Sequence, residues 1–397
     1  MRCAWLTLLF ALPALAASPL QTLVDAAPAG SSVQLPPGHH AGPLVIDKPL
    51  TVDGGGRTTI DNGGHGTVLT LRTSGATVRG LVLTGSGVSH DGMDTGIQIE
   101  GDDNLVENNV VTDALFGINI RQGNRNRVLN NRVTGKDLPL GLRGDGLRLW
   151  NSRRNLVQGN VFERVRDITL ANSPDNRIVG NRFHDGRYGM HLIFSPRTLA
   201  EGNRISDTGT GIVVLYSEDV VPRNNGVAHA LESGGGGIVF KESGEGLAEG
   251  NEILHCSVGL LANAPMNTEN ALTIRANRFA YNIVGMAFYG EKGGHRITDN
   301  RFEGNLSQVV ASAPGVGSAN VWRGNYWSDY QGFDRDGNGI GDTPHELYIY
   351  ADRIWMEIPK TKFFANSPVF ELLDFLERLA PFSGPSLIVR DPTPRMK

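Results

Sequence analysis

The sequence predicts an all-β fold, a right-handed parallel β-helix of roughly ten coils, from three observations. The first is a series of tetrapeptides in which two apolar residues flank one variable residue: GIQI from Gly96, GINI from Gly117, GLRL from Gly146, DITL from Asp167, GMHL from Gly189, GIVV from Gly211, GIVF from Gly237, GLLA from Gly259 and GMAF from Gly285. Alternation with period two marks a strand with one buried face. The second is an asparagine series in phase with it: Asn109, Asn131, Asn160, Asn181, Asn203, Asn225, Asn251, Asn277, Asn300 and Asn325, spaced 21 to 29 residues apart. Stacked one per coil, each amide can bond its neighbours at the strand spacing of about 4.8 Å. The third is glycine, 51 of 397 residues, which with no helical period puts tight corners between short strands. The right hand follows from the general bias of parallel connections.

The elements follow in order. Residues 1–16 place Arg2 before a short apolar run that ends in Ala14-Leu15-Ala16, the pattern of an export signal cleaved near Ala17. The run is shorter than the roughly 20 residues that cross a bilayer, so no transmembrane helix is expected after cleavage. The β-helix with its N-terminal cap is assigned to residues 17–327. An open terminal coil is an unpaired edge, and Ser18 as helix cap, Pro19 in the first turn and Leu20, Leu23 and Val24 as an apolar face supply a short helix to cover it. Residues 328–397 form an acidic loop and a docking or capping segment. There Ser367, Pro368 and the apolar residues Val369, Leu372, Leu373, Phe375, Leu376 and Leu379 make an amphipathic helix that Pro381 stops.

A formal net charge of −4 leaves no basic stripe for phosphates, so no nucleic-acid partner is expected. Cys3 leaves with the signal and Cys256 is then alone, which excludes an internal disulfide. In the acidic loop, Asp334, Asp336, Asn338, Gly339 and Asp342 stand at positions 1, 3, 5, 6 and 9 of an EF-hand-type calcium loop. The match fails at position 12, occupied by His345, so an Asx-rich turn is the competing reading.

Taken with the signal, the entry segment LQTLVDAAPAGSSVQLPPGHHAGPLVIDKPLTVDG, the GIxI coils and the block NYWSDYQGFDRDGNGIGDTPHELY, the whole mature chain resembles the NosD family. That resemblance implies a periplasmic, non-enzymatic accessory protein. It would receive copper(I), or a sulfur species, and hand it over during maturation of nitrous oxide reductase. Its implied partners are the permease and ATPase of an ABC transporter, a copper-donor lipoprotein and the reductase.

Copper(I) favours thiolate, thioether and imidazole donors, which makes Met266, His191, Cys256, His255, His90 and Met93 the candidates. Met266 lies in the elongated coil ANAPMNTEN and has no core to fill, and His90 and Met93 share the loop SHDGMD. His255 and Cys256 are strand neighbours that face opposite sides. Met190 and Met286 fall in the inward column with Leu147, Ile168, Ile212, Ile238 and Leu260, and read as core. His191 falls in the outward column Gln98, Asn119, Arg148, Thr169, His191, Val213, Val239, Leu261 and Ala287, polar in its first half and apolar in its second. Val213, Val239 and Leu261, with Leu372, Phe375 and Leu376 of the C-terminal helix, are the candidate partner surface. The alternative is a polysaccharide-binding or polysaccharide-modifying β-helix, for which Asp145, Asp167, Asp185, Asp207 and Arg148 supply acids and a cation; each Asp, however, flanks a glycine or turn.

Overall fold

A computed structural model describes residues 18–263, 271–290, 292–312, 315–349, 372, 376 and 386–396. A representative coil consists of three strands, Leu156–Gln158, Val161–Glu163 and Asp167–Ala171. Each pairs in parallel with its counterparts one coil before and one coil after. The stacked strands form three faces, here called sheets A, B and C in the order of that coil, and the chain is a parallel β-helix.

Sheet C holds the GIxI series. Its inward column runs in register through Leu44, Leu69, Ile97, Ile118, Leu147 and Ile168, then Met190, Ile212, Ile238, Leu260, Met286 and Val309. This makes about twelve coils rather than ten, because Leu44–Ile46 and Leu69–Leu71 stack ahead of the first GIxI tetrapeptide and carry no ladder asparagine. Met190 and Met286 are core residues, 1% and 0% exposed.

The asparagine ladder stands at the corner between sheets A and B. From Asn131 to Asn325 each amide oxygen accepts from both the backbone N–H and the side-chain amide of the preceding ladder residue, as Asn160 does from Asn131 at 2.8 and 3.0 Å and Asn325 from Asn300 at 3.0 Å for each. All ten asparagines are buried. The residue before each one has a positive φ, such as Gly180 at 62°, Asn130 at 52° and Ala276 at 55°. Glycine and asparagine tolerate that left-handed conformation best, which explains the recurring GN and NN pairs. Further ladders line the corner between sheets C and A. Asn104, Asn126, Asn155 and Asn176 are linked at 2.8 to 2.9 Å, and Ser152, Ser173, Ser195, Ser217 and Ser243 at 2.8 to 3.1 Å.

Both ends of the coil stack are covered. At the N-terminus the helix Pro19–Ala26 is capped by Ser18, whose Oγ accepts from Gln21 N at 3.2 Å. Leu20 and Val24, one turn apart, are buried against the first coil, while Leu23, expected on the same face, is 45% exposed. At the other end His345–Ile349 and Ser386–Asp391 form an antiparallel pair. A column of rings, Phe279, Phe302, Trp327 and His345, runs into it with successive centroids 5.3, 4.3 and 4.6 Å apart. Of the expected helix after Pro368, Leu372 and Leu376 are helical and exposed; Phe375 lies outside the described residues, as does the export signal.

Candidate copper site

The corner between sheets B and C carries a second run of positive-φ residues, among them Asp207 at 55°, His229 at 57°, His255 at 53° and Tyr281 at 57°. At such a corner the side chain projects away from the core, and repetition coil by coil stacks the projections into a ridge. On this ridge Asp207 lies between two imidazoles. His229 Nδ1 hydrogen-bonds to Asp207 Oδ1 at 3.1 Å, and His184 Nδ1, hydrogen-bonded to Ser206 Oγ at 3.1 Å, is also 3.1 Å from Asp207 Oδ2. His255 follows one coil on, its ring centroid 5.9 Å from that of His229 and 5.5 Å from that of Tyr281, with which it stacks.

Neutral histidine has one donor nitrogen and one acceptor nitrogen. When the His229 Nδ1–H donates to Asp207, its Nε2 keeps its lone pair. A carboxylate behind a histidine in this way fixes the tautomer and raises the basicity of the free nitrogen, the usual arrangement behind a metal-bound histidine. Among the described residues no group of three or more His, Cys, Asp or Glu is placed to enclose a metal ion. The ridge is therefore an open series of exposed donors, suited to an ion that accepts few ligands and must leave again.

Of the copper-ligand candidates read from the sequence, only His255 among the described residues belongs to this ridge, together with Asp207, read there as an acid of the polysaccharide alternative. Cys256, next to it, turns inward and is 1% exposed; its thiol donates to Leu254 O at 3.3 Å, and burial pushes its pKa up to about 11. A thiol so held is a weak source of thiolate. His191 is half-buried on the outer face of sheet C, edge-on to Tyr188 with centroids 5.1 Å apart. Burial holds its pKa below the ordinary value, against the pull of Asp167. His90 packs edge-on against Phe116, with Nε2 3.1 Å from Leu142 O. Met93 accepts from Arg148 Nη1 at 3.4 Å through its sulfur, a cationic neighbour that disfavours a metal ion there. Met266 lies outside the described residues. His184 and His229, and the juxtaposition of Asp207 with them, were missed because the three come from successive coils and form no motif along the chain. Their signal was the 22-residue spacing of Asp207 and His229 at one corner position.

In the acidic loop, Asp334 accepts from Asn338 N at 3.1 Å and Gly339 N at 2.8 Å, Asp336 from Asn338 Nδ2 at 2.8 Å, Asn338 from Ile340 N at 2.7 Å and Asp342 from Arg335 N at 2.9 Å. The Gly339 N–H foremost holds the Asp334 carboxyl below its ordinary pKa. These oxygens are engaged by the loop itself, the arrangement of an Asx-rich turn.

The acids of sheet C are clamped. Arg166 Nη2 lies 2.8 Å from Asp145 Oδ1, Arg187 Nε donates to Asp167 Oδ1 at 3.2 Å, and Tyr188 N donates to the same oxygen at 3.0 Å. Asp145 and Asp167 are 2% and 1% exposed, and burial raises the Asp145 pKa in spite of Arg166.

Comparison with known proteins bears on the same geometry. Residues 131–332 match the family model described as periplasmic copper-binding protein (NosD). The chain is 31% identical to the probable ABC transporter binding protein NosD of Pseudomonas aeruginosa, over 98% of this chain and 94% of that one. It is 28% identical to the protein of the same description from Stutzerimonas stutzeri, over 99% and 93%. Among solved structures, the A-module of the Azotobacter vinelandii mannuronan C-5 epimerase AlgE6 superposes with a TM-score of 0.60 at 16% identity, covering 76% of this chain and 93% of that one. A mannuronic acid specific family 6 polysaccharide lyase from human gut microbiota gives 0.58 at 14%, covering 90% and 96%. At those identities the likeness is one of fold. Identity of 31% over nearly the full length of a NosD protein, with the family model matched across the central coils, settles the assignment: the chain belongs to the NosD family of periplasmic copper-binding proteins.

Proposed function

We propose that this chain acts in the periplasm as a copper carrier, receiving copper(I) and handing it on without catalysing a reaction, in company with an ABC transporter. The observation that carries this reading is Asp207, whose carboxylate lies 3.1 Å from Nδ1 of both His184 and His229 and hydrogen-bonds to the latter, on an exposed ridge with His255 one coil away. Imidazole nitrogen is a good copper donor, and an open site favours transfer over storage. The destination is maturation of nitrous oxide reductase, with a donor lipoprotein upstream and the permease and ATPase as the assembly platform. The clamped state of Asp145 and Asp167 supports a non-enzymatic role, since a general acid or base needs a proton-transfer partner within reach.

The test is titration of the mature protein with copper(I) against a competing chelator. His184→Ala and His229→Ala are expected to lower affinity by about ten-fold or more and Asp207→Asn by about ten-fold, the usual effect of losing a histidine's carboxylate partner. Met266→Ala, His191→Ala and Cys256→Ser are expected to change it less than about two-fold, since none of them flanks Asp207. A loss confined to Met266→Ala or His191→Ala would move the site there, and no binding above background would remove the carrier role.

A further inference from the structure

We propose that a second site, on the outer face of sheet C in the N-terminal half of the coil stack, binds an acidic sugar, a ring with adjacent hydroxyls and a carboxylate. A cavity of about 460 Å³ lies there, walled by the loop that carries Met93, within the size range of small-ligand pockets.

Three features define the ligand. Asn119 is 4% exposed, and its Oδ1 has no hydrogen-bond partner, although its Nδ2 donates to Gln98 Oε1 at 2.8 Å. A buried acceptor without a donor is uncommon and points to a group that fills the cavity. The Gln98–Asn119 pair presents one amide acceptor and one amide donor, and does so equally if both amides are turned over; two neighbouring hydroxyls supply the complement. Next, Arg121 and Arg148 line the cavity, and neither pairs with a carboxylate among the described residues, whereas Arg72 has Glu100 at 3.7 Å. Arg148 Nη1 donates to Met93 Sδ at 3.4 Å and Arg121 lies over Trp150, but neither guanidinium has an anionic partner among the described residues, and a carboxylate, which arginine binds with paired N–H bonds, would supply one. Finally, Trp150 gives the wall an aromatic surface, with the Arg121 guanidinium 5.6 Å from its ring centroid, suited to the C–H face of a sugar ring. Gln98, Asn119 and Arg148 sit on consecutive rungs of one outward column, continued by Thr169 and His191, so one sugar could follow another along the stack.

The site is tested by isothermal titration of the mature protein with a uronic-acid trisaccharide, a neutral glucose trisaccharide and an acidic tripeptide. The acidic sugar is expected to bind about ten-fold more tightly than either other probe, with Arg148→Ala and Trp150→Ala each weakening it about ten-fold. Circular dichroism checks that both variants fold, and Asn119→Leu is expected to lower affinity as well. Copper titration of Arg148→Ala should match the wild type, which separates this site from the copper ridge. No heat of binding at millimolar acidic sugar, equal affinity for the neutral sugar, tighter binding of the tripeptide, or binding unchanged in Arg148→Ala and Trp150→Ala would each overturn the proposal.

Discussion

Asp391 occupies the rung above Asn325. Its Oδ2 accepts from Asn325 N and Asn325 Nδ2, each at 2.9 Å, as the Asn325 amide oxygen accepts from Asn300. A residue 66 positions away thus ends the ladder with a carboxylate in place of an amide. Asp391 also accepts from Gly324 N at 3.2 Å and Trp327 Nε1 at 3.3 Å. Asp391→Ala leaves several buried donors unpaired and is expected to destabilise the chain by about 3 kcal/mol. Asp391→Asn keeps an acceptor oxygen and should cost less than half of that. Denaturant unfolding of both variants measures the difference, and equal losses would show that Asp391 does not act as a rung.

Ala276 is the one alanine among the residues that precede a ladder asparagine, with φ at 55° where five other coils have glycine at 62° to 69°. A left-handed alanine carries a steric cost of about 1 kcal/mol that glycine avoids. Ala276→Gly is therefore expected to stabilise the folded chain by up to about 1 kcal/mol, less the extra entropy that glycine gives the unfolded state. The midpoint of urea unfolding should rise; a fall would show that the entropy term wins.

Much of this architecture was legible along the chain, and the reason is geometric. In a parallel stack, residues at the same place in successive coils are vertical neighbours, so the column from Gln98 through His191 to Ala287 could be read from alignment alone, and every step of it appears in the strand register. The burial of Met190 and Met286 followed from the same alternation, which for His255 and Cys256 said only that they face opposite sides. The contacts that alignment of one motif cannot show were missed. Asp391 meets Asn325 across the C-terminal segment, the serine ladder has no recurring glycine beside it to announce it, and His184, Asp207 and His229 come together only because a sheet B residue faces the next coil's corner.

His345 gives the C-terminal end a pH dependence. It is 6% exposed, stacked on Trp327, and 3.8 Å from Asp329, too far for a hydrogen bond. Burial lowers its pKa, against the smaller opposing pull of Asp329 and Asp391. A histidine whose pKa is lower folded than unfolded contributes fully above the unfolded value of about 6.5 and loses that contribution as pH falls through the folded value. Stability should accordingly fall between pH 7 and the acid side of that range, and His345→Phe should flatten part of the slope. His191, shifted the same way, accounts for part of what remains. Unfolding free energies across this range decide the matter, and parallel wild-type and His345→Phe profiles would exclude His345.

Cys256 should be chemically silent in the folded chain. A thiol that is 1% exposed, hydrogen-bonded to Leu254 O and raised to about 11 has little thiolate near neutral pH. Labelling with iodoacetamide at pH 8 is expected only on unfolding in denaturant. Rapid labelling of the native protein would mean that this coil opens.

The partner surface is the remaining reading of the sequence that calls for an experiment. Val213, Val239 and Leu261 form consecutive rungs of the outward column, so a polar change there also alters sheet packing; Val239 in particular is 6% exposed. Leu372 and Leu376 are better probes, since both are helical, four residues apart in the sequence, and 56% and 44% exposed. Exposed leucines at that spacing form an apolar edge suited to a helix-in-groove contact. Replacing both with Ser removes apolar contact area while burying no polar group, so the thermal midpoint should change by less than about 2 °C, as for a surface substitution. If the edge docks on the transporter's permease, copurification from membranes should fall several-fold while copper binding by the isolated protein stays as it was. A drop in thermal midpoint with copurification intact would instead make this edge a cover for the coils.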